Sequence, residues 1–265
     1  MPLPVTPTLR ETIASSSRPL VGMWVCSGSP LVAEICAGSG LDWLLIDMEH
    51  APNGLESVLA HLQAVAAYPV APLVRLPGFL PVMIKQVLDL GAQNILIPMV
   101  DTVDQAEAAV RSVRYPPRGQ RGVGSALARS ARWNRIDGYL TGADDHVSLF
   151  VQIESITGVE NAAAIAAVDG IDGVFVGPSD LAASMGLIGQ QTHPEVVAAV
   201  GTAFKAVVGS GKPVGVNAFD PVVAERYVAG GASFVLVGAD VALLARGSEA
   251  LAARFIAPDQ NRDSY

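Results

Sequence analysis

Two apolar runs, each ending in a carboxylate, constrain this chain more than any other feature. Phe150-Val151-Gln152-Ile153-Glu154 and Val174-Phe175-Val176-Gly177-Pro178-Ser179-Asp180 are short, β-branched and aromatic, and turn residues bound them. Each reads as a buried strand. Between them, Gly158 to Val168 carries the Ala-rich pattern of a helix. A strand, a helix and a strand make one crossover unit, so the two strands lie parallel and side by side. Glu154 and Asp180 then emerge at the same, C-terminal end of the sheet, where α/β folds keep their chemistry. Two acids on adjacent strand ends repel unless a cation sits between them. A hard divalent ion suits that position, since it prefers carboxylate oxygens and keeps positions open for water or substrate. The bland alternative is a pair of solvated loop acids.

The same alternation runs along the chain. Apolar strands are predicted at Val21–Cys26, Trp43–Asp47, Ala71–Leu76 and Asn94–Val100, then at the two runs above, Pro213–Asn217 and Phe234–Val237. Helical patterns fall between them, among them Leu31–Gly38, Leu55–Tyr68, Val82–Leu90, Thr102–Val113, Glu195–Val208, Pro221–Ala229 and Val241–Phe255. Eight parallel strands alternating with helices predict a closed (β/α)8 TIM-type barrel. A doubly wound sheet is disfavoured because no GxGxxG turn follows the first strand. With 265 residues and no shift in composition that marks a linker, the whole chain 1–265 is one barrel domain. Residues 1–18 read as an N-terminal extension and 241–265 as a C-terminal helix and tail. Only Tyr115 to Asp145, rich in Arg and Gly, breaks the rhythm.

Composition excludes several classes. A net charge of -8 without a basic run argues against nucleic acid and anionic membrane as partners. No apolar stretch is long enough to span a bilayer, and Met1 to Glu11 lacks the apolar core of a signal peptide, so a cytoplasmic protein is expected. Cys26 and Cys36 carry no metal spacing and read as small buried hydrophobes. The three lysines, Lys85, Lys205 and Lys212, fall in helices or before a strand. A Schiff-base aldolase needs a lysine in the upper half of the barrel, and none is placed there.

The strand register sets the polar groups on the C-terminal rim: Asp47 and His50 after the second strand, Arg75 at the third, Gln152 and Glu154 at the fifth, Ser179 and Asp180 after the sixth. Roles follow from charge. A metal at Glu154 and Asp180 acts as a Lewis acid on a 2-oxo acid. Backbone N–H groups near Ser179 and Asp180, at a helix start, suit a substrate carboxylate. Arg75 suits a developing enolate oxygen, and His50 a proton in transit. The alternatives are a surface histidine, an arginine that merely pairs with an acid, and a glutamine bonded to backbone.

Trp43-Leu44-Leu45-Ile46-Asp47-Met48-Glu49-His50, Val74-Arg75, Ile97-Pro98-Met99-Val100, Tyr115-Pro116-Pro117, Arg121-Gly122-Val123-Gly124, Val151-Gln152-Ile153-Glu154 and Gly173 to Asp180 together resemble the HpcH/HpaI aldolases, over about Val21 to Arg246. The resemblance implies a class II, metal-dependent pyruvate aldolase, which cleaves 4-hydroxy-2-oxo acids to pyruvate and an aldehyde. It implies Mg²⁺, Mn²⁺ or Co²⁺ at Glu154 and Asp180, and substrate contacts at Gln152, Gly177, Ser179 and Asp180. It further implies His50 as base, Arg75 as enolate stabiliser, a swapped C-terminal helix and a homo-hexamer built as a trimer of dimers. An acid matching Asp89 is paired with the histidine. The residue pattern puts Asp89 at a helix end on the barrel's lower side, so it reaches His50 only from a neighbouring subunit; Asp47 is the candidate within the chain. Other enolate chemistry on the same site, by a decarboxylase or a citrate-lyase-type enzyme, and a non-catalytic binding barrel are the competing readings.

Overall fold

The computed structural model describes residues 5–124 and 126–256; the tail expected at 257–265 lies outside them. A first helix, α1 (Leu9–Ser15), precedes β1 (Leu20–Val25), α2 (Pro30–Ala37) and β2 (Trp43–Asp47). Then come α3 (Leu55–Ala64), β3 (Ala71–Arg75), α4 (Pro81–Asp89), β4 (Asn94–Ile97) and α5 (Val103–Val113). After a long irregular segment follow β5 (Ser148–Ile153), α6 (Ile156–Glu160), α7 (Ala162–Ala166), β6 (Gly173–Val176) and α8 (Pro178–Ser184). The chain continues as α9 (Pro194–Gly209), β7 (Val214–Asn217), α10 (Pro221–Ala229), β8 (Phe234–Ala239) and α11 (Asp240–Phe255). The strands form a closed barrel in the order β1 to β8, every neighbouring pair parallel. The expected (β/α)8 barrel is present.

Side-chain alternation sorts each strand into a wall and an interior. Outward residues such as Ile46, Val74, Ile95, Val151, Val174 and Val216 pack under the helices. Inward residues build an aromatic core from Trp43, Phe150, Phe175 and Phe234, whose rings meet edge-on or tilted with centroids 5.4–6.5 Å apart. Such large rings need gaps opposite them. A Cβ at Gly22 would lie 2.6 Å from the Trp43 ring, and one at Gly173 2.7 Å from that of Phe150. One inward layer higher, at the C-terminal strand ends, the residues turn polar: Asp47, Arg75, Gln152 and Asn217. The barrel is therefore a solid plug with a polar top.

The lower end is closed by a helix that the composition of the N-terminus hides. α1 starts with a full capping box between Thr8 and Glu11. Its first N–H groups, at Leu9 and Arg10, donate to Asn94 Oδ1 (2.7 Å) and Ser148 Oγ (3.3 Å) on the barrel floor. Leu9 is wholly buried beneath the aromatic core. The segment read as an extension is thus partly the stopper of the barrel. The irregular segment after α5 also lies on this lower side, because it joins a helix end to a strand start. It carries its own small core of Tyr115, Ala131, Tyr139 and Ala143.

Candidate active site

At the ends of β2 and β3, Asp47 and Arg75 are register partners facing inward. Arg75 Nε and Nη2 donate to the two Asp47 oxygens, each at 2.8 Å, a bidentate fork. Its Nη1 stands 2.8 Å from Glu49 Oε2, and its guanidinium lies 4.3 Å from the centroid of the Trp24 ring. Trp24 in turn donates from Nε1 to Asn217 Oδ1 at 2.9 Å. Arg75 is only 5% exposed and is held on every side, with a donor left on each of Nη1 and Nη2. Asp47 also accepts from the backbone N–H of Glu49 (3.0 Å) and of His50 (3.3 Å), so the turn that carries both residues folds around its carboxylate. His50 itself is exposed, its Nε2 3.9 Å from Glu49 Oε2. Burial raises Glu49; Arg75 and His50 pull it back, and Asp47 and Asp180 push it further up.

At the ends of β5 and β6 the balance is different. Glu154 is 2% exposed. One of its oxygens accepts from Met99 N–H at 2.9 Å, and the other takes a short contact from the Gln152 amide. Met99 holds a left-handed backbone (φ 55°), a conformation a non-glycine residue keeps only when its surroundings fix it, as this hydrogen bond helps to do. Gly177 must be glycine here: a Cβ would sit 2.7 Å from Glu154 Oε2 and 3.1 Å from Gln152 Nε2. Asp180, in the first turn of α8, is exposed towards the same mouth. Burial pushes Glu154 up to about 7; the Gln152 and Met99 hydrogen bonds oppose this, while Asp180 and Glu49 add to it. The carbonyl oxygen of the Gln152 side chain is buried without a hydrogen-bond partner.

The two halves share a cavity of about 260 Å³ whose lining includes Asp47, His50, Arg75, Gln152, Ser179 and Asp180. Of the rim residues expected from the sequence, these six meet there, together with Gly177; Glu154 lies against Gly177 just beneath. Two acidic side chains and an unsatisfied amide oxygen fit a hard cation that is bound by oxygen and left open on the cavity side. Among the described residues, no group of three or more His, Cys, Asp or Glu could enclose a metal unaided. The donor set thus suits an ion completed by substrate or water.

Of the two candidate partners of His50, Asp47 takes another role and Asp89 stands where the residue pattern put it. Asp47 does not reach the His50 ring: both its oxygens are engaged with Arg75 and backbone amides, so within the chain it is the anchor of Arg75 and the turn. Asp89 ends α4 on the lower side and pairs with Arg121 Nη2 at 3.1 Å, away from the His50 of its own chain. Arg75 pairs with neighbouring carboxylates, as one of its two readings expected. Glu49, Trp24 and Asn217 belong to the site and were not singled out from the sequence. The last two share the inward register of the rim and were readable from it, whereas Glu49 sits in a turn with no period. Cys26 lines the cavity, its thiol pushed up to about 12 by burial and then by Asp47 and Asp240, so it stays protonated. Lys85 and Lys205 lie in α4 and α9, and Lys212 donates to Ile171 O at 2.7 Å near the lower strand ends; none lines this cavity.

A model of the HpcH/HpaI aldolase/citrate lyase family matches residues 20–247. The hydroxypyruvate/pyruvate aldolase of Deinococcus radiodurans is 53% identical over 260 residues, covering 98% of this chain and 93% of that protein. The 4-hydroxy-2-oxo-heptane-1,7-dioate aldolase of Salmonella dublin is 53% identical over 240 residues, 91% of each chain. Among solved structures, an HpcH/HpaI aldolase/citrate lyase family protein from Burkholderia cenocepacia superposes with a TM-score of 0.90 at 39% identity, covering 94% of this chain and 99% of that one.

Proposed function

Since the chain belongs to the HpcH/HpaI aldolase/citrate lyase family, we propose that it is a class II pyruvate aldolase, a carbon–carbon lyase that cleaves 4-hydroxy-2-oxo acids to pyruvate and an aldehyde. The observation that carries this reading is the pair Glu154, just after β5, and Asp180, in the first turn after the adjacent β6, both opposite the fixed guanidinium of Arg75. Glu154 and Asp180, with Gln152 beside them, would hold Mg²⁺, Mn²⁺ or Co²⁺, and that ion supplies Lewis-acid polarisation of the ketone oxygen. The remaining work falls to the chain's own groups. Ser179 and Asp180 lie in the first turn of α8, where backbone N–H groups lack helical acceptors and suit the substrate carboxylate. Arg75 keeps donors for the oxygen that gains charge as the C–C bond breaks, and its planar fork is already oriented, so no reorganisation is needed at that moment.

His50 takes the proton of the substrate's 4-hydroxyl as the aldehyde forms; an exposed imidazole at the rim suits that task. Glu49 is close enough to orient the ring, its Oε2 3.9 Å from Nε2. By family likeness, Asp89 of a neighbouring subunit completes this pair, within a hexamer built as a trimer of dimers. The apolar residues Leu243, Leu244, Leu251 and Phe255 on α11 are exposed in the single chain, which supports a C-terminal helix that packs on another copy. No described helix is long and apolar enough to cross a membrane, and we place the enzyme in the cytoplasm.

The test is a panel of 4-hydroxy-2-oxo acids of differing chain length, with Mg²⁺ or Mn²⁺ present and pyruvate coupled to lactate dehydrogenase. Pyruvate from at least one of them is expected, and borohydride should trap no adduct, because no lysine lines the cavity. A panel without any pyruvate, or a covalent adduct, overturns the reading.

A further inference from the structure

The lower mouth holds a larger cavity, about 320 Å³, bounded by the starts of β3 and β4, the end of α3 and the turn after α4. Two arginines line it, Arg129 and Arg132. Their segment is built with effort. A single 3-10 turn at Arg129–Ala131 is followed by three successive non-glycine residues in the left-handed region: Arg132 (φ 47°), Trp133 (φ 55°) and Asn134 (φ 62°). Such residues cost free energy one by one and persist where the surroundings over-determine them. Here Arg129 Nη1 donates to Leu90 O at 2.9 Å, and Arg132 Nη1 donates to Arg129 O at 2.6 Å. A Cβ at Gly91 (φ +93°) would lie 2.8 Å from the first nitrogen and 2.9 Å from the second, so both guanidiniums converge on one point.

No acid balances them. Among the described residues, neither arginine has a carboxylate within ion-pair distance. Asp42 also lines the cavity, but Arg18 occupies both its oxygens at 2.7 Å and Val21 N–H donates to it as well. Both arginines are half-buried. Burial, and then the neighbouring Arg132, pull Arg129 down to about 10, and burial lowers Arg132 too. Two converging half-buried cations without a counter-charge lack one partner, an anion. Guanidinium forks fit carboxylate and phosphate oxygens two at a time.

We propose that Arg129 and Arg132 form an anion subsite at the lower mouth of the barrel, which takes a small dianion bearing oxyanion oxygens, phosphate or a short dicarboxylate. The cavity is within the size range of small-molecule pockets. It opens at the strand starts, the far side of the barrel from the Glu154 and Asp180 of the same chain.

The experiment is calorimetric titration of inorganic phosphate, and separately of malonate, into the full-length, chelator-treated protein at constant ionic strength, with chloride as the control. One saturable site per chain is expected, and the tighter of the two probes identifies the source. Arg129→Gln with Arg132→Asn should weaken binding about tenfold or more, the scale of losing a charge-assisted hydrogen bond. Asn tolerates the left-handed backbone at the second position. If the double variant does not fold, the single Arg129→Gln change must still weaken the probe. No saturable heat, equal affinity in the variants, or a variant that changes only the oligomeric mass overturns the proposal. The last result would assign the arginines to an acidic side chain of a second copy.

Discussion

The two halves of the upper rim solve the problem of buried charge in opposite ways. On the β2–β3 side, Arg75 sits between Asp47 and Glu49 with its face on Trp24, so the cluster is complete before any ligand arrives. On the β5–β6 side, Glu154 is just as buried, yet only an amide and a backbone N–H meet it, while Asp180 and Glu49 repel it. A complete cluster holds shape. An incomplete one is where, on the proposed reading, a cation would bind. The contrast gives the first half the task of holding shape and, on the proposed reading, the second that of binding, and mutations should separate the two.

The largest expected effect falls on the incomplete half. Glu154→Ala or Asp180→Ala should remove the ion and lower pyruvate release by about three orders of magnitude or more, since a Lewis acid supplies several kcal/mol of transition-state stabilisation. The metal-free fold of Glu154→Ala should remain intact in urea denaturation, because no buried partner charge is orphaned. The complete half behaves in reverse. Asp47→Ala leaves Arg75 buried without its fork partner and should cost about 3–5 kcal/mol of folding stability, read from the urea midpoint. An unchanged midpoint would erase the distinction between the halves.

Arg75→Lys keeps the charge and loses the planar fork. Turnover should fall about 10²–10³-fold, the scale of removing one oxyanion donor, and exchange of the pyruvate methyl protons with solvent should slow with it. His50→Ala should impair cleavage more than that exchange; wild-type cleavage by this variant across the neutral pH range would remove His50 from proton transfer.

The smallest effect is a pH dependence that only the incomplete half produces. Glu154 is raised from 4.5 to about 7 by burial, so the folded, metal-free protein keeps a proton that the unfolded chain releases. The stability it lends is full below pH 4.5, fades as pH rises towards 7 and is gone above, a change of about 3 kcal/mol. Saturating Mn²⁺ should flatten that slope, and Glu154→Gln should abolish it. A metal-free slope of the opposite sign would contradict the burial of an uncompensated acid.

Much of this was legible in the chain itself, for reasons that differ by region. The strands announce themselves because both faces are buried, which leaves continuous apolar runs such as Trp43–Asp47 and Gly173–Val176. The rim carboxylates follow from those runs, because a strand's last residue marks the mouth. α1 was missed although Thr8 and Glu11 spell a capping box, because the prolines around them suggested an extension. The Asp47–Arg75 fork was within reach, since both residues are inward by alternation on neighbouring strands. The place of Glu49 was not, because a four-residue turn has no period and its geometry depends on hydrogen bonds to Asp47. Nor could the sequence place the loop after α5, whose left-handed run at Arg132–Asn134 contains no glycine to advertise it.

Whether the incomplete half works by holding a divalent cation is read from pyruvate release from one cleavable 4-hydroxy-2-oxo acid. The rate is measured on enzyme treated exhaustively with EDTA and dialysed, then again after Mg²⁺ or Mn²⁺ is added back. A rate at background before addition, and recovery to the untreated level after it, are expected. An undiminished rate in the chelated enzyme would contradict a role for the cation.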